Sequence, residues 1–200
     1  MPWQRVSPGS FTIISTIRRT LLIQSRDTRL AKLDVPGSEF SCIILATAGL
    51  LRLGLGHRIT QRLDTDVFPY AVGQGALGIE IKTGRDDILR LIQTADHTPS
   101  RWKGLAERAM LRSLQGGCSS PIGVSSAFVD PDANSPGGEQ GRDGTMLRLR
   151  AFVLDVEGTA SVVAQDVKAV SSDHEAERLG VSVAKALLLQ GAANLLPKES

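Results

Sequence analysis

Cys118 stands where a side chain could do chemistry. It follows Gly116-Gly117 and precedes Ser119-Ser120-Pro121. A thiol can act as a nucleophile, a metal ligand, half of a disulfide or a covalent tether. No other Cys or His lies nearby in sequence, which argues against a local zinc site. The helix that the pattern places before it ends with its negative pole toward Cys118, and that disfavours a thiolate. A redox cysteine of low pKa fits poorly there, whereas a thioether needs no depressed pKa once formed. Taken alone, the residue reads more simply as a small buried hydrophobe.

Arginine supplies the other chemistry. Arg18-Arg19 ends a short β-branched run, and two planar forks there could grip carboxylates bidentately. The plainer alternative is a solvated basic turn. Arg26 and Arg29 fall on a candidate helix. Arg52 follows a candidate strand, where a surface arginine and an anion grip are equal readings. Gly73-Gln74-Gly75-Ala76-Leu77-Gly78 satisfies a G-x-G-x-x-G pattern. A dinucleotide fingerprint needs a strand before it and a helix after it. Here Ile79-Glu80-Ile81-Lys82 alternates like a strand, so the glycines read as close packing where a strand re-enters a sheet. His57, His97 and His174 have neither metal-ligand nor triad spacing. There is no G-x-S-x-G elbow, phosphate-binding loop or internal repeat.

Two hundred residues with 42% apolar and 4% aromatic content allow one or two domains with an aliphatic core. A net charge of +2 gives no global field to draw in nucleic acid. Two distant cysteines give no disulfide framework and suit a reducing compartment. No apolar run is long enough to span a membrane, and residues 1–10 lack the apolar core of a secretory signal. The expectation is a cytoplasmic protein.

Several elements must position these groups. Residues 11–17 read as a strand, 20–33 as a helix and 41–48 as a buried strand with Cys42 in the core. Residues 49–54 read as a turn, and 86–94 as a short amphipathic helix. The polar stretch 96–100, with Pro99, reads as a domain boundary. Trp102, Leu105, Ala106, Ala109, Met110 and Leu114 form one face of a helix that Gly116-Gly117 would stop. Strands follow at 122–129, 146–154 and 160–167, the second with Leu147, Leu149, Ala151 and Val153 on one face and Arg148 and Arg150 on the wetter one. Residues 130–145 read as a mobile insertion. A last helix would bury Ala176, Leu179, Val183, Ala186 and Leu187.

Three collinear blocks resemble the porphobilinogen deaminase (hydroxymethylbilane synthase) family. They are Thr28-Arg29-Leu30-Ala31-Lys32-Leu33-Asp34 leading into 43–50, Ala71-Val72-Gly73-Gln74-Gly75-Ala76-Leu77-Gly78-Ile79-Glu80, and Leu114-Gln115-Gly116-Gly117-Cys118-Ser119-Ser120-Pro121-Ile122-Gly123 preceded by Glu107-Arg108. Ser15-Thr16-Ile17-Arg18-Arg19 is similar to the family's Ser-Ser-x-Arg-Arg motif. The resemblance runs from about Ser15 to the C-terminus and implies that the family's N-terminal part is missing, as in a truncated form.

The implied fold is α/β with an α+β C-terminal domain. It would be the remnant of a two-lobed, periplasmic-binding-protein-like cleft, followed by a three-stranded antiparallel sheet with helices on one face. The implied domains are 1–68, an incomplete second domain; 69–95, a return segment of the first; and 96–200, a C-terminal cofactor-attachment domain. The implied activity is head-to-tail condensation of four porphobilinogen into hydroxymethylbilane with release of ammonia, in tetrapyrrole and haem biosynthesis. The alternative is a non-catalytic fragment or isoform that serves as a binding module. The implied cofactor is dipyrromethane, held by a thioether at Cys118 and gripped by Ser15, Thr16, Arg18, Arg19 and Arg29. Arg26, Arg52 and Gln74 are then candidates for substrate. The implied partners are porphobilinogen and polypyrrole intermediates, with no nucleic acid, membrane or metal, and family members are usually monomers. The sequence departs from the family twice. A longer segment with an Arg-Gly-Asn turn normally separates the paired arginines from the Thr-Arg-Leu block, and here Ile23 falls where that turn's arginine should be. The family's catalytic aspartate lies in a Lys-Asp pair, and this chain has none.

Overall fold

Alternation of Leu147, Leu149 and Ala151 with Arg148 and Arg150 along Met146–Leu154 marks the centre of the larger sheet. In the computed structural model, which describes residues 11–16, 26–38, 40–65, 67–114, 120–129 and 146–196, with side chains from residue 29 onward, this strand buries Leu147, Leu149, Ala151 and Val153 completely. The chain divides into two units, Met1–Phe68 and Pro69–Ser200.

The first unit has a three-stranded antiparallel sheet of order β2-β1-β3, with β1 Phe11–Thr16, β2 Ser41–Ala46 and β3 Gln61–Leu63. In its register Ser15 faces Cys42 and Thr16 faces Ser41. Helix α1 spans Arg26–Asp34 and carries Arg26 and Arg29; the start expected for it at residue 20 lies outside the described residues. Its Leu30 packs with Leu45 and Leu50 into a small core, flanked by Leu33, Ile43, Leu55 and Ile59.

Two expectations change here. Residues 47–52, expected partly as strand end and partly as turn, form helix α2, Thr47–Arg52. Leu50 on that helix is fully buried, and tertiary burial outweighs the turn signal of Gly49. Cys42 is half-buried and stands outside the core cluster.

The second unit is built on a sheet of order β4-β5-β6, with β4 Ile122–Val129, β5 Met146–Leu154 and β6 Ser161–Ala169. All pairings are antiparallel. Helices α4, Thr98–Ser113, and α5, Asp173–Leu189, pack on each other and on the sheet. Pro99 lies in the first turn of α4, where its missing N–H costs nothing. The N-terminus of α5 is capped by Ser172, which accepts a hydrogen bond from the Glu175 N–H (3.3 Å). Where α4 and α5 cross, a Cβ on Gly180 would fall 2.1 Å from the Ala106 carbonyl oxygen. Glycine permits that approach, and Gly180 and Ala184 join Ala176, Leu179, Val183 and Leu187 in the buried face. Ala186, expected on that face, is only half-buried.

The strand expected at 79–82 is absent. Residues 71–75 make a turn with Gly73 and Gly75 at φ of 72° and 83°, and 76–82 follow without ladder pairing. Alternation supplies a face but not a partner, and a strand needs a neighbour to bond. The glycines therefore serve backbone conformation here, not close packing in a sheet. Helix α3, Asp86–Gln93, forms as expected but buries no residue.

Candidate functional site

The second unit holds a buried carboxylate at the corner between α4 and β4. Tyr70 starts it. Its N–H donates to the Val124 carbonyl (3.0 Å), and the Val124 N–H donates back to the Tyr70 carbonyl (2.7 Å). This exchange sets residue 70 beside β4. Gly123 makes room for it, since a Cβ there would lie 2.7 Å from Pro69 Cγ.

The Tyr70 hydroxyl then meets Glu107 Oε1 at 2.9 Å. The Ser126 hydroxyl donates to the same oxygen at 2.6 Å. The Gly73 N–H donates to Oε2 at 2.8 Å. Tyr70 in turn accepts the Ser126 N–H at 3.0 Å.

Glu107 is only 3% exposed. A carboxylate taken out of water costs several kcal/mol unless its lone pairs are satisfied. Here three donors converge on it. Burial pushes the Tyr70 phenol well above its ordinary value of 10.0, and the negative charge of Glu107 pushes it further. The hydroxyl is thus held protonated, as a donor.

The residues singled out in sequence lie as follows. Cys118, with Gly116 and Gly117, falls outside the described residues, in the connection from the end of α4 at Ser113 to the start of β4 at Ile122. The insertion at 130–145 also falls outside them, as do Arg18, Arg19 and Ile23. Ser15 and Thr16 are placed by backbone on β1, and Arg26 opens α1. Arg29 is half-buried on α1, and its Nε is buried without a hydrogen-bond partner among the described residues. Arg52 is exposed at the last position of α2. Gln74 belongs to the second unit, on the 71–75 turn, where its Oε1 accepts the Ala71 N–H at 3.3 Å. Among the described residues no three His, Cys, Asp or Glu side chains gather as a metal site, and no helix is long and apolar enough to cross a membrane.

Sequence reasoning gave no role to Glu107, Tyr70 or Ser126. One signal was present. Glu107 sits between Ala106 and the buried Ala109–Met110 pair, a charge inside an apolar stripe, and such a charge needs partners.

Two regions of the chain are similar to known proteins. Residues 16–90 match the family model described as porphobilinogen deaminase, dipyromethane cofactor binding domain, and residues 103–189 match the C-terminal domain of the same family. The chain is 43% identical over 171 residues to a porphobilinogen deaminase of Candida albicans, covering 86% of this chain and 46% of that one. It is 38% identical over 202 residues to that of Schizosaccharomyces pombe, covering 94% and 57%. For the protein of Synechococcus the identity is 41% over 171 residues, with 86% and 48% covered. The chain belongs to the porphobilinogen deaminase family, with sequence from both its cofactor binding and its C-terminal domains. It spans about half the length of the curated relatives it matches.

Proposed function

We propose that this chain is the cofactor-bearing part of a porphobilinogen deaminase, a transferase that joins four porphobilinogen head to tail into hydroxymethylbilane and releases ammonia at each condensation. The observation that carries the reading is the pair of family matches in collinear order, the second of which contains the Cys118 loop. A cytoplasmic site of action in tetrapyrrole and haem biosynthesis belongs to the same proposal, as does the two-lobed cleft.

The residues present suit a dipyrromethane. Each pyrrole brings two carboxylates, and a buried arginine N–H without an acceptor among the described residues, such as Arg29 Nε, suits a planar anion. Cys118 would supply the sulfur of the thioether. Arg18, Arg19 and Arg29, with the hydroxyls of Ser15 and Thr16, would hold the carboxylates. Arg52, Arg26 and Gln74 would meet incoming substrate. When bound, the dipyrromethane supplies the free α-carbon from which the pyrrole chain grows. Arginine forks orient that carbon by fixing its flanking carboxylates, and orientation is a large part of the rate.

The reaction also needs an ionised carboxylate beside the pyrrole nitrogen to stabilise developing cation. No Lys-Asp pair occurs in this sequence, and neither Asp34 nor Glu80 is assigned that role. That observation favours a second reading for the chain acting alone, a non-catalytic module that binds pyrroles.

Intact mass of the purified chain, with an Ehrlich test for pyrroles on the same sample, decides first whether the cofactor is carried. The expected result is an adduct of two pyrrole units that Cys118→Ser abolishes. A bare mass that stays bare after incubation with porphobilinogen would overturn the cofactor-bearing reading. If the adduct forms, ammonia release and bilane formation then separate the enzyme from the binding module.

A further inference from the structure

We propose that Glu107 is a positioning residue, whose carboxylate fastens the turn at 71–75, and Gln74 on it, to the α4–β4 corner from which the Cys118 loop springs. Three separate chain segments end on this one side chain. Tyr70 and the Gly73 N–H bring the turn, α4 brings the carboxylate, and β4 brings Ser126. The elements it ties are the two that flank the Cys118 loop, α4 ending at Ser113 and β4 beginning at Ile122.

A carboxylate is a costly way to hold a corner together if apolar packing would serve. What a carboxylate adds is direction. Its two oxygens accept along different lines, one toward the two hydroxyls and the other toward a single backbone N–H. Gly73 has a positive φ of 72°, so its N–H is aimed by a conformation that other residues rarely adopt. The Gln74 amide is meanwhile tied to its own turn through Ala71. The turn is thus held from outside by Glu107 and from inside by Gln74. The functional part of this inference rests on reading Cys118 as the attachment site; the hydrogen-bonded corner does not.

The test uses the full chain with Glu107→Leu and Glu107→Gln, together with Tyr70→Phe as a milder break should the leucine variant fail to fold. Amide hydrogen exchange reads local opening segment by segment. Glu107→Leu removes the acceptor shared by Tyr70, Ser126 and Gly73. The two hydroxyls, 2.9 Å apart, can still bond each other, but the Gly73 N–H loses its anchor, so exchange across 70–75 should quicken about tenfold, while β5, β6 and α5 stay protected. Glu107→Gln can turn its amide oxygen toward the Gly73 N–H and should restore most of that protection.

The second readout is the state of Cys118, mapped by peptide so that Cys42 is counted apart. It is the fraction carrying a pyrrole adduct after incubation with porphobilinogen, taken per folded chain. If the wild-type chain takes up no adduct, it is the rate of alkylation by iodoacetamide. A change in the leucine or phenylalanine variant that the glutamine variant largely reverses supports the positioning role. Failure of the wild-type chain to load defeats the proposed function and leaves the alkylation rate to decide this one. A uniform rise in exchange across the unit, or a Cys118 that behaves alike in every variant, would overturn it, since Glu107 would then only hold the unit together.

Discussion

Residues 69–75 and residues 76–93 are consecutive and belong to one unit, yet Tyr70 in the first and Leu77, Ile79 and Leu91 in the second meet opposite surroundings. In the first stretch Tyr70 is buried, bonded to Val124 through its backbone and to Glu107 through its hydroxyl. In the second, Leu77 is 94% exposed, Ile79 62% and Leu91 68%. The difference lies in the partner and not in hydrophobicity. Pro69 fits against β4 because Gly123 has no side chain, and the turn behind it finds a carboxylate. Residues 76–82 find no strand to bond among the described residues, and α3 fully buries none of its residues. Burial is a property of two surfaces, and a periodic sequence supplies only one of them.

The sharpest break of the packed side is at Gly180. Alanine would gain about 1 kcal/mol of helix propensity in mid-helix. Against that, its Cβ would sit 2.1 Å from the Ala106 carbonyl oxygen and 2.8 Å from the Met110 nitrogen, both backbone atoms that cannot swing aside. The two helices must part, which costs roughly 3 kcal/mol or more. Gly180→Ala should therefore destabilise the chain by about 2 kcal/mol net, read by urea unfolding. A neutral or stabilising result would mean that the helices do not cross so closely.

At neutral pH the next effect is silent, since it is confined to alkaline pH and comes from Tyr70. Unfolded, its phenol ionises near the ordinary value of 10.0, whereas in the native chain burial and the Glu107 charge hold the proton to higher pH. Above pH 10 the unfolded chain thus binds fewer protons than the native one, and stability falls as pH rises toward the native value. The slope attains at most about 1.4 kcal/mol per pH unit and vanishes below about pH 9. Tyr70→Phe should remove it. Because the chain has a single tyrosine, an ultraviolet difference titration reads the group directly. Ionisation of the native chain at the ordinary value would place the 69–75 stretch in water and erase the contrast with 76–93.

The same contrast explains what could be read from sequence. Strands β4, β5 and β6 and helix α5 were legible because an apolar run marks β4, and alternation in β5 and a helical face in α5 mark the surfaces that pack together. Helix α3 was legible from the spacing of Ile88, Leu89, Leu91 and Ile92, although it buries no residue. The strand expected at 79–82 failed because its alternation was real but its pairing was not local. Helix α2 was missed because its formation follows from burial of Leu50, a tertiary event. Of the candidate site, the Cys118 loop stood out through glycine, proline and cysteine. Glu107 did not, because a buried carboxylate looks in sequence like any helical glutamate until Tyr70, Gly73 and Ser126 arrive from elsewhere in the chain.

The smallest effect is expected on the exposed side, and it is the most direct check on the comparison. A leucine that is already in water loses little hydrophobic stabilisation when a polar residue replaces it, because the coefficient of about 25 cal/mol per Å² applies only to area removed from water. Leu77→Ser lies outside any helix and carries no helix-propensity cost. Leu91→Ser lies in α3 and gives up a few tenths of a kcal/mol of propensity. Together they should change the unfolding free energy by no more than about 1 kcal/mol. Because they remove exposed apolar surface, they should leave concentration-dependent self-association unchanged or lower. Urea unfolding and light scattering on the double variant measure both. A loss as large as that of Gly180→Ala would mean that 76–93 is packed against a surface in solution, and the two stretches would then differ only in which surface covers them.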